Sequence, residues 1–211
     1  MKNLIDNIKN WSSSDIYDFW SKEAFCNHVV QVYDTEDVFL DTITSYFTSG
    51  LIEGETALLI ATPSHITKIY NNLKERNIDI DSPFLKSRYI VLDAEKTLSK
   101  FIVNGKLDEN LFFDIIEPIL ETNLRLLRKL RIFGGMVALL CQQGKVDIAH
   151  EIECLWNRLQ EKYHFTLFCA FHRDIYKEGA HMSLDNLCSS HTKIISGNSS
   201  LSPLIRFHPW N

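Results

Sequence analysis

The chain has 211 residues, of which 45% are hydrophobic and 23% are charged, and this balance excludes a fibrous or disordered chain. Its length fits one domain that buries a substantial core. The formal net charge of -5 and the pI near 5.9 argue against binding to nucleic-acid phosphates, which requires clustered cations. The one basic run lies where a helical pattern ends and is interpreted as a complement to the helix dipole; it comprises Arg125, Arg128, Lys129 and Arg131.

The N-terminal sequence MKNLIDNIKNW lacks the apolar segment of a signal peptide, and no window approaches the length of a membrane span. Five cysteines, an odd number without close pairs, fit reduced thiols better than a disulfide framework. We therefore expect a cytoplasmic protein without membrane contact. Residues 1–24 are predicted to form a helical extension, and buried thiols are predicted at Cys141, Cys154 and Cys169.

Strands and helices alternate along the first half of the chain. HVVQVY at residues 28–33 predicts a strand, and VFLDTITSYFTSGL has the apolar spacing of a helix. TALLIAT predicts a second strand, SHITKIYNNLKERN an amphipathic helix with Ser64 as N-cap, and RYIVLDA a third strand. EKTLSKFI predicts a short helix. Asp108 is predicted to cap a long helix, which Pro118 should kink or split.

The second half continues the alternation and then changes character. LRIFGG predicts a fourth strand, and MVALLCQQG and DIAHEIECLWNRLQEKY predict helices. FTLFCAF predicts a fifth strand, with no polar residue between Leu167 and Phe171. Such strands, alternating with helices, predict a three-layer α/β domain over residues 25–195, with a mainly parallel sheet covered on both faces. The tail SGNSSLSPLIRFHPWN, residues 196–211, combines a flexible stretch with large apolar residues. We interpret it as an arm that docks on its own domain or on a neighbour.

The turn after the first strand has an acidic sequence, DTED at residues 34–37. A phosphate-binding loop needs glycines whose N–H groups wrap the phosphates, a lysine, and a hydroxyl for the metal ion. Here Asp34 or Thr35 can cap the following helix, and the acids complement its positive end. We therefore expect neither nucleotide binding nor a cofactor.

A cleft is expected where the strands end, because open parallel sheets bind ligands beyond the carboxyl ends of their strands. These ends carry aromatic side chains, a few polar groups and two glycines. The predicted ligand-binding residues are Tyr33, Asp34, Thr62, His65, Asp93, Gly134, Gly135, Met136, Phe171 and His172.

Cysteine–histidine and carboxylate pairs in the sequence suggest other kinds of site. The pairs Cys26 with His28 and Cys169 with His172 suggest a metal site, but neither has the paired spacing of a zinc site, and we place them at opposite ends of parallel strands. We therefore expect no metal and no catalysis. Two alternatives stay open. One is an enzyme that uses Cys169 with His172, or Asp93 with Glu95; the other is an interaction subunit whose cleft is filled by its own side chains.

Several separate motifs, in the same order, resemble the MEDS family, the sensory domain of methanogens, methylotrophs and DcmR-type regulators. They are HVVQVYDTEDVFLDTITSYFTSGLIEGETALLIATPSH, YIVLDAEKTLSKFIVNG, RIFGGMVALLCQQG, CLWNRLQEKYHFTLFCAF and CSSH, and the resemblance extends from about Phe25 to Ile195. It implies a relative of the RecA and KaiC folds without the phosphate-binding loop. It also implies sensing of small organic molecules, often hydrocarbon derivatives, in chains that usually carry a histidine kinase or a DNA-binding module.

The chain departs from the family pattern at three places. Gly135 stands where the family usually has glutamate, Cys169–His172 replaces its usual CAYP, and its terminal H-x-H-x-x-P is reduced to His191–Ser196. The resemblance adds His191 to the predicted ligand-binding residues. About 20 residues follow His191, too few for a kinase or a helix-turn-helix domain. Output is therefore expected through self-association, or through a partner such as a histidine kinase or a transcription regulator.

Overall fold

A seven-stranded sheet forms the centre of the computed structural model, which describes residues 19–22, 27–176, 191–198 and 201–207. The strand order is β3-β2-β6-β7-β1-β8-β9, in which every neighbouring pair from β3 to β8 is parallel and β9 is antiparallel to β8. The strands are β1 (His28–Tyr33), β2 (Thr56–Ala61), β3 (Tyr89–Asp93), β6 (Leu130–Gly134), β7 (Thr166–His172), β8 (Lys193–Asn198) and β9 (Leu201–Phe207), with a separate hairpin of β4 (Ile102–Val103) and β5 (Lys106–Leu107).

Helices cover both faces of this sheet, which confirms the predicted three-layer α/β fold. One face packs against α1 and α2, and the other packs against α4 to α7. The helices are α1 (Glu36–Ile52), α2 (Pro63–Glu75), α3 (Pro83–Lys86), α4 (Ala94–Phe101), α5 (Glu109–Arg125), α6 (Met136–Gln142) and α7 (Val146–Tyr163), and a 3-10 turn spans Arg173–Tyr176.

The central strands are mainly apolar, and both of their faces are buried. Along β7, Leu167, Cys169 and Phe171 belong to the core beneath α4 to α7, whereas Phe168 and Ala170 belong to the core beneath α1 and α2. This alternation is the ordinary two-residue period of a strand. It decides which side of the sheet each predicted site residue faces.

Side-chain caps start four of the described helices, α2 to α5. Asp108 accepts a hydrogen bond from the backbone N of Leu111, which confirms the predicted cap of α5. That helix is continuous through Pro118. At α2 the cap is Thr62, whose Oγ1 accepts from the backbone N of His65, and not Ser64 as predicted. Pro63 occupies the first helical position, where its missing N–H costs no helical hydrogen bond.

The arginine that ends the basic run lies inside the protein. Arg131 lies on β6, is only 7% exposed, and forms an ion pair with Glu55. Its Nη1 also donates to the backbone O atoms of Trp20 and Tyr46 and to Ser49 Oγ. The interpretation of Arg131 as a complement to the helix dipole is therefore wrong, because its charge is paired with Glu55 in the protein interior. Arg125 does lie in the last turn of α5, next to Glu121.

Residues 201–207 of the predicted arm extend the sheet of their own chain. They form β9, which pairs with β8, while β8 pairs with β1 in the register Val29 to Lys193. Neither strand was predicted from the sequence. At the other terminus, residues 19–22 are helical and Trp20 is buried against Tyr46 and Phe168, with ring centroids 4.6 and 5.1 Å away. The remainder of the predicted N-terminal extension lies outside the described residues.

The described cysteines do not all follow the expectation of burial. Cys141 and Cys169 are buried free thiols, but Cys154 is free and exposed on the solvent side of α7. Its neighbours Glu153 and Leu155 face the core instead, as the helical period dictates. Within the described ranges, no helix combines the length and apolar character needed to cross a membrane.

Candidate functional site

A small pocket lies at the carboxyl ends of β1, β2, β6 and β7, where the sequence predicted a cleft. It has a volume of about 30 Å³. Aromatic and small side chains form its walls, and a few polar groups reach it from α2 and α6. The lining residues are Tyr33, Phe39, Ala61, Thr62, His65, Phe133, Gly135, Ala138, Leu139, Gln142 and Ala170.

Stacked rings form the apolar wall of this pocket. Tyr33 stacks on Phe39 with ring centroids 5.0 Å apart, and Phe39 also contacts Phe133 at 5.6 Å and His65 at 5.0 Å. Burial and the nearby Glu36 carboxylate raise the pKa of the Tyr33 hydroxyl, so this hydroxyl remains protonated at neutral pH. The wall therefore offers apolar surface and one neutral polar group.

The imidazole of His65 is the main titratable group at the pocket. Burial lowers the pKa of His65 below 6.5, which leaves the ring neutral at pH 7. Its Nε2 lies 3.4 Å from Glu36 Oε1, and both carboxylate oxygens of Glu36 accept from Lys68 Nζ at 2.6 Å. The Lys68 hydrogen bond lowers the pKa of Glu36, so the carboxylate is charged and already paired. The pocket thus has no excess charge to attract an ionic ligand.

Gly135 is required by the close approach of two backbone segments. Its N–H donates to the carbonyl of Ile60 at 2.8 Å. A Cβ at this position would lie 2.7 Å from that carbonyl oxygen and 3.0 Å from a ring carbon of Phe133. Any larger residue would therefore push the β6–α6 turn away from β2 and reshape the pocket.

Five of the predicted residues lie at the pocket and the others lie elsewhere. Tyr33, Thr62, His65 and Gly135 line it, and His172 contacts the Tyr33 ring at a centroid distance of 5.3 Å.

The backbone carbonyl of Asp34 accepts from His172 Nε2 at 3.0 Å, and the Asp34 carboxylate pairs with Arg173. Asp93 lies at the end of the edge strand β3, where it caps α4 by accepting from the backbone N of Lys96. Neither Asp34 nor Asp93 lines the pocket.

Met136 and Phe171 do not line the pocket, although both follow or end a strand. Both are fully buried in the core beneath α4 to α7, on the opposite face of the sheet from Tyr33. Gly134 also faces that core, since a Cβ there would contact Leu167, Cys169 and Trp156. The strand period explains these placements, because residues of opposite parity on one strand face opposite sides.

A second constellation, which the sequence did not predict, lies near the amino ends of the strands. His28 of β1, Glu153 of α7, Cys169 of β7 and His191, which precedes β8, place one ligand-type atom each within 4.8 Å of one another. All four side chains are buried. His191, which the family resemblance added to the predicted ligand-binding residues, lies here and not at the pocket, with its ring centroid 4.0 Å from that of His28.

The strand register explains how His28 and Cys169 meet. Val30 on β1 pairs with Cys169 on β7. His28 lies two residues before Val30, so its side chain is on the same face of the sheet as the Cys169 thiol. Cys169 Sγ lies 3.6 Å from His28 Nε2. The expectation that these residues lie at opposite strand ends is therefore wrong. Cys169 and His172 are three residues apart on one strand and face opposite sides, so they do not form a catalytic pair.

The electrostatics of this cluster are unusual for a protein interior. Burial raises the pKa of Glu153 to about 8 and raises the pKa of the Cys169 thiol well above its usual range. Glu153 Oε2 lies 3.4 Å from His28 Nε2, and Glu153 Oε1 lies 3.8 Å from His191 Nε2. The far nitrogen of His28, Nδ1, is 2.9 Å from Asn157 Oδ1, one helical turn after Glu153.

Two larger grooves on the surface lack these features. They have volumes of about 370 and 320 Å³ and lie along α5 and α7. The larger groove is lined mainly by charged side chains and the smaller one by leucines, two aromatic rings and three cations, and no predicted site residue lines either. We therefore regard the pocket at the carboxyl ends and the buried cluster as the two candidate sites.

The parallel sheet covered by helices on both faces, with a small aromatic pocket at its carboxyl ends, defines a three-layer α/β domain. The family model for MEDS, the MEthanogen/methylotroph, DcmR Sensory domain, matches residues 27–192. This match covers well over half of the chain, and the protein belongs to the MEDS family of sensory domains. A comparison with curated proteins finds no match.

Proposed function

We propose that this sensory domain binds a small, uncharged organic molecule in the pocket at the carboxyl ends of β1, β2, β6 and β7. The observation that carries the proposal is the aromatic wall of Tyr33, Phe39 and Phe133, which lines the pocket together with a few polar groups. An apolar cavity with few polar groups is the usual form of a small-molecule site. The MEDS family membership supports a sensory use of such a site.

The size of the pocket limits the ligand. A volume of about 30 Å³ exceeds the roughly 10–15 Å³ that one water molecule requires, but it is far below the roughly 300–1,000 Å³ of sites for larger ligands. A molecule of a few heavy atoms fits. A larger one requires a lining side chain to move, and His65 and Gln142 can do so because both are at least partly exposed. A nucleotide is too large for this volume, and its phosphates would be repelled by the acidic turn at residues 34–37.

The charge of the pocket favours a neutral ligand. His65 is neutral at pH 7, and Glu36 is paired with Lys68. Thr62 Oγ1 already accepts from the helix α2, so its hydroxyl hydrogen is the polar group it offers a ligand. A short-chain alcohol, ketone or amide would gain apolar contact and one or two hydrogen bonds, whereas an anion would find no cation.

Movement at the pocket would be passed on through α2. This helix carries His65 in its first turn, and Arg76 at its C-terminal end pairs with Asp41 and donates to Ser45 Oγ at 2.6 Å on α1. A shift of His65 would therefore move the contact between α1 and α2. In this proposal, output follows through self-association or through a histidine kinase or transcription regulator, without catalysis, metal-dependent chemistry or a cofactor.

Two neighbouring glutamines allow a matched test. Gln142 lines the pocket, while Gln143 is an exposed residue just beyond α6 that does not line it. Binding of short-chain alcohols, ketones and amides would be measured by calorimetry and by the shift in Tm. We expect Gln142→Phe, which fills the pocket, to weaken binding at least tenfold, and Gln143→Phe to leave it unchanged.

Two outcomes would contradict this function. The first is that native mass spectrometry of protein purified from its source cells shows no retained small molecule and that no compound of the panel binds. The second is that Gln142→Phe and Gln143→Phe bind the same compound with equal affinity, which would place the ligand outside the pocket. Light scattering with and without a bound compound tests the output step, since self-association as the output requires the mass to change.

A further inference from the structure

In the buried cluster at the amino ends of the strands, the four ligand-type atoms lie within 4.8 Å of one another, and three pairs have separations close to those of a metal site. In a tetrahedral zinc site, metal distances of about 2.0–2.1 Å to nitrogen, about 2.0–2.2 Å to oxygen and about 2.3 Å to sulfur place ligand atoms roughly 3.3–3.6 Å apart. His28 Nε2 lies 3.6 Å from Cys169 Sγ and 3.4 Å from Glu153 Oε2. His191 Nε2 lies 3.8 Å from Glu153 Oε1.

The 3.6 Å between Cys169 Sγ and His28 Nε2 allows a weak sulfur hydrogen bond, but the two nitrogen–oxygen distances are long for hydrogen bonds. An N–H···O hydrogen bond has a donor–acceptor distance of about 2.7–3.2 Å. Within the described part of the chain, neither buried carboxylate oxygen of Glu153 makes a hydrogen bond of ordinary geometry, and the carboxyl group has only a weak contact with the Cys169 thiol. Such a group is costly unless something satisfies it, and an ion at the centre of the cluster would do so.

A neighbouring side chain orients His28 toward the cluster. With Asn157 Oδ1 as acceptor at 2.9 Å, His28 Nδ1 carries the hydrogen and Nε2 presents its lone pair. Metal-bound histidines usually have their other nitrogen held in this way, which fixes both tautomer and ring position. Glu153 and Asn157 lie one turn apart on α7, so one face of this helix provides a ligand and the group that orients another.

We propose that His28, Glu153, Cys169 and His191 form a binding site for a divalent transition-metal ion, with zinc as the best fit. One thiolate, two imidazoles and one carboxylate are borderline-soft donors that suit zinc. The thiolate and the carboxylate together cancel the two positive charges of the ion, so the filled site is neutral and suits a buried position.

Four protein ligands leave no open position, as in structural zinc sites. The ion would join β1, β7, α7 and the segment that leads into β8, and would hold that segment against β1. This role is separate from the pocket at the carboxyl ends and does not rest on the proposed function.

Cobalt provides a direct spectroscopic test on the full chain. Chelator-treated protein would be titrated with Co²⁺, which gives intense visible absorption in a tetrahedral site and a thiolate charge-transfer band in the near ultraviolet. We expect saturation at one ion per chain, displacement by Zn²⁺, and a rise in Tm on metal addition. Elemental analysis of the untreated protein is expected to show bound metal.

The other cysteines supply matched controls. Cys169→Ser should lose the charge-transfer band and weaken metal binding at least tenfold, whereas Cys141→Ser and Cys154→Ser, which remove the other described free thiols, should retain both. Glu153→Gln and His191→Ala should lose the metal-dependent rise in Tm, and circular dichroism would verify that each variant is folded. Failure of the wild-type protein to bind Co²⁺ or Zn²⁺, or equal binding by the Cys169, Glu153 and His191 variants, would overturn the proposal.

Discussion

Two buried glutamates lie near the amino ends of the strands on opposite faces of the sheet, and their surroundings differ. Glu55 is paired with Arg131, whose guanidinium also satisfies two backbone carbonyls and a hydroxyl. Glu153 faces two histidines and a thiol, none of which carries a permanent positive charge. The first site is a complete ion pair, whereas the second needs a proton or a metal ion. Burial of a carboxylate therefore does not by itself indicate function; the charge of its neighbours does.

The largest expected effect comes from breaking the complete pair. Arg131→Leu would leave Glu55 buried and unpaired, and we expect the free energy of unfolding to fall by about 3 to 5 kcal/mol. Urea unfolding monitored by circular dichroism measures this change. The control is the double variant Arg131→Leu with Glu55→Met, which should recover much of the loss because no lone charge remains. A double variant as unstable as the single one would show that the hydrogen bonds of Arg131 matter more than its charge.

An intermediate effect is expected at Glu153 in metal-free protein, and it depends on pH. The pKa of Glu153 is raised from 4.5 to about 8 by burial, so the folded state keeps a proton that the unfolded state has lost. Between pH 4.5 and pH 8 the free energy of unfolding should therefore fall as pH rises, by at most about 1.4 kcal/mol per pH unit. Glu153→Gln should remove this slope and be more stable than the wild type at pH 8.

Unfolding curves across this range, recorded with chelator present, test the sign. Glu151→Gln, on the exposed side of the same helix, controls for a general loss of negative charge from α7. A wild-type stability that rises from pH 5 to pH 8, or an unchanged slope in Glu153→Gln, would show that this carboxylate is stabilised as an anion even without metal.

The smallest effect is expected for a glutamate paired at the surface. Glu109 Oε2 accepts from Arg158 Nη1 at 2.7 Å between α5 and α7, and both side chains are more than half exposed. Water and salt screen such a pair, so Glu109→Gln should change the free energy of unfolding by less than about 1 kcal/mol. If Glu109→Gln lowered the free energy of unfolding as much as Arg131→Leu, burial would not explain the difference between the glutamates.

Some of the fold and of the pocket could be predicted from local patterns. The apolar runs that became β1, β2, β6 and β7 alternate with helical patterns, and Asp108 caps α5 as its spacing indicated. The rule for open parallel sheets located the pocket and four of its lining residues. It could not separate Tyr33 from Phe171, because their chain positions relative to a strand end are alike and only their parity differs.

The buried cluster had no comparable signal in the sequence. His28 and Cys169 are 141 residues apart, and Glu153 and His191 belong to a helix and to the approach to a strand that was not predicted. Metal motifs that can be recognised in a sequence place their ligands close together along the chain. Here each ligand comes from a different element, so no short spacing exists to be recognised.

The sequence by itself determined the α/β class, the alternation of elements and the acidic turn at residues 34–37, because periodicity, capping and charge act between near neighbours in the chain. Only the tertiary structure decided that β1 lies between β7 and β8, and that α7 packs with Glu153 toward them. Strand order and register depend on the packing of the whole core. Strand order and register therefore decided which distant side chains meet at the pocket, at the carboxyl ends of the strands, and at the buried cluster, near their amino ends.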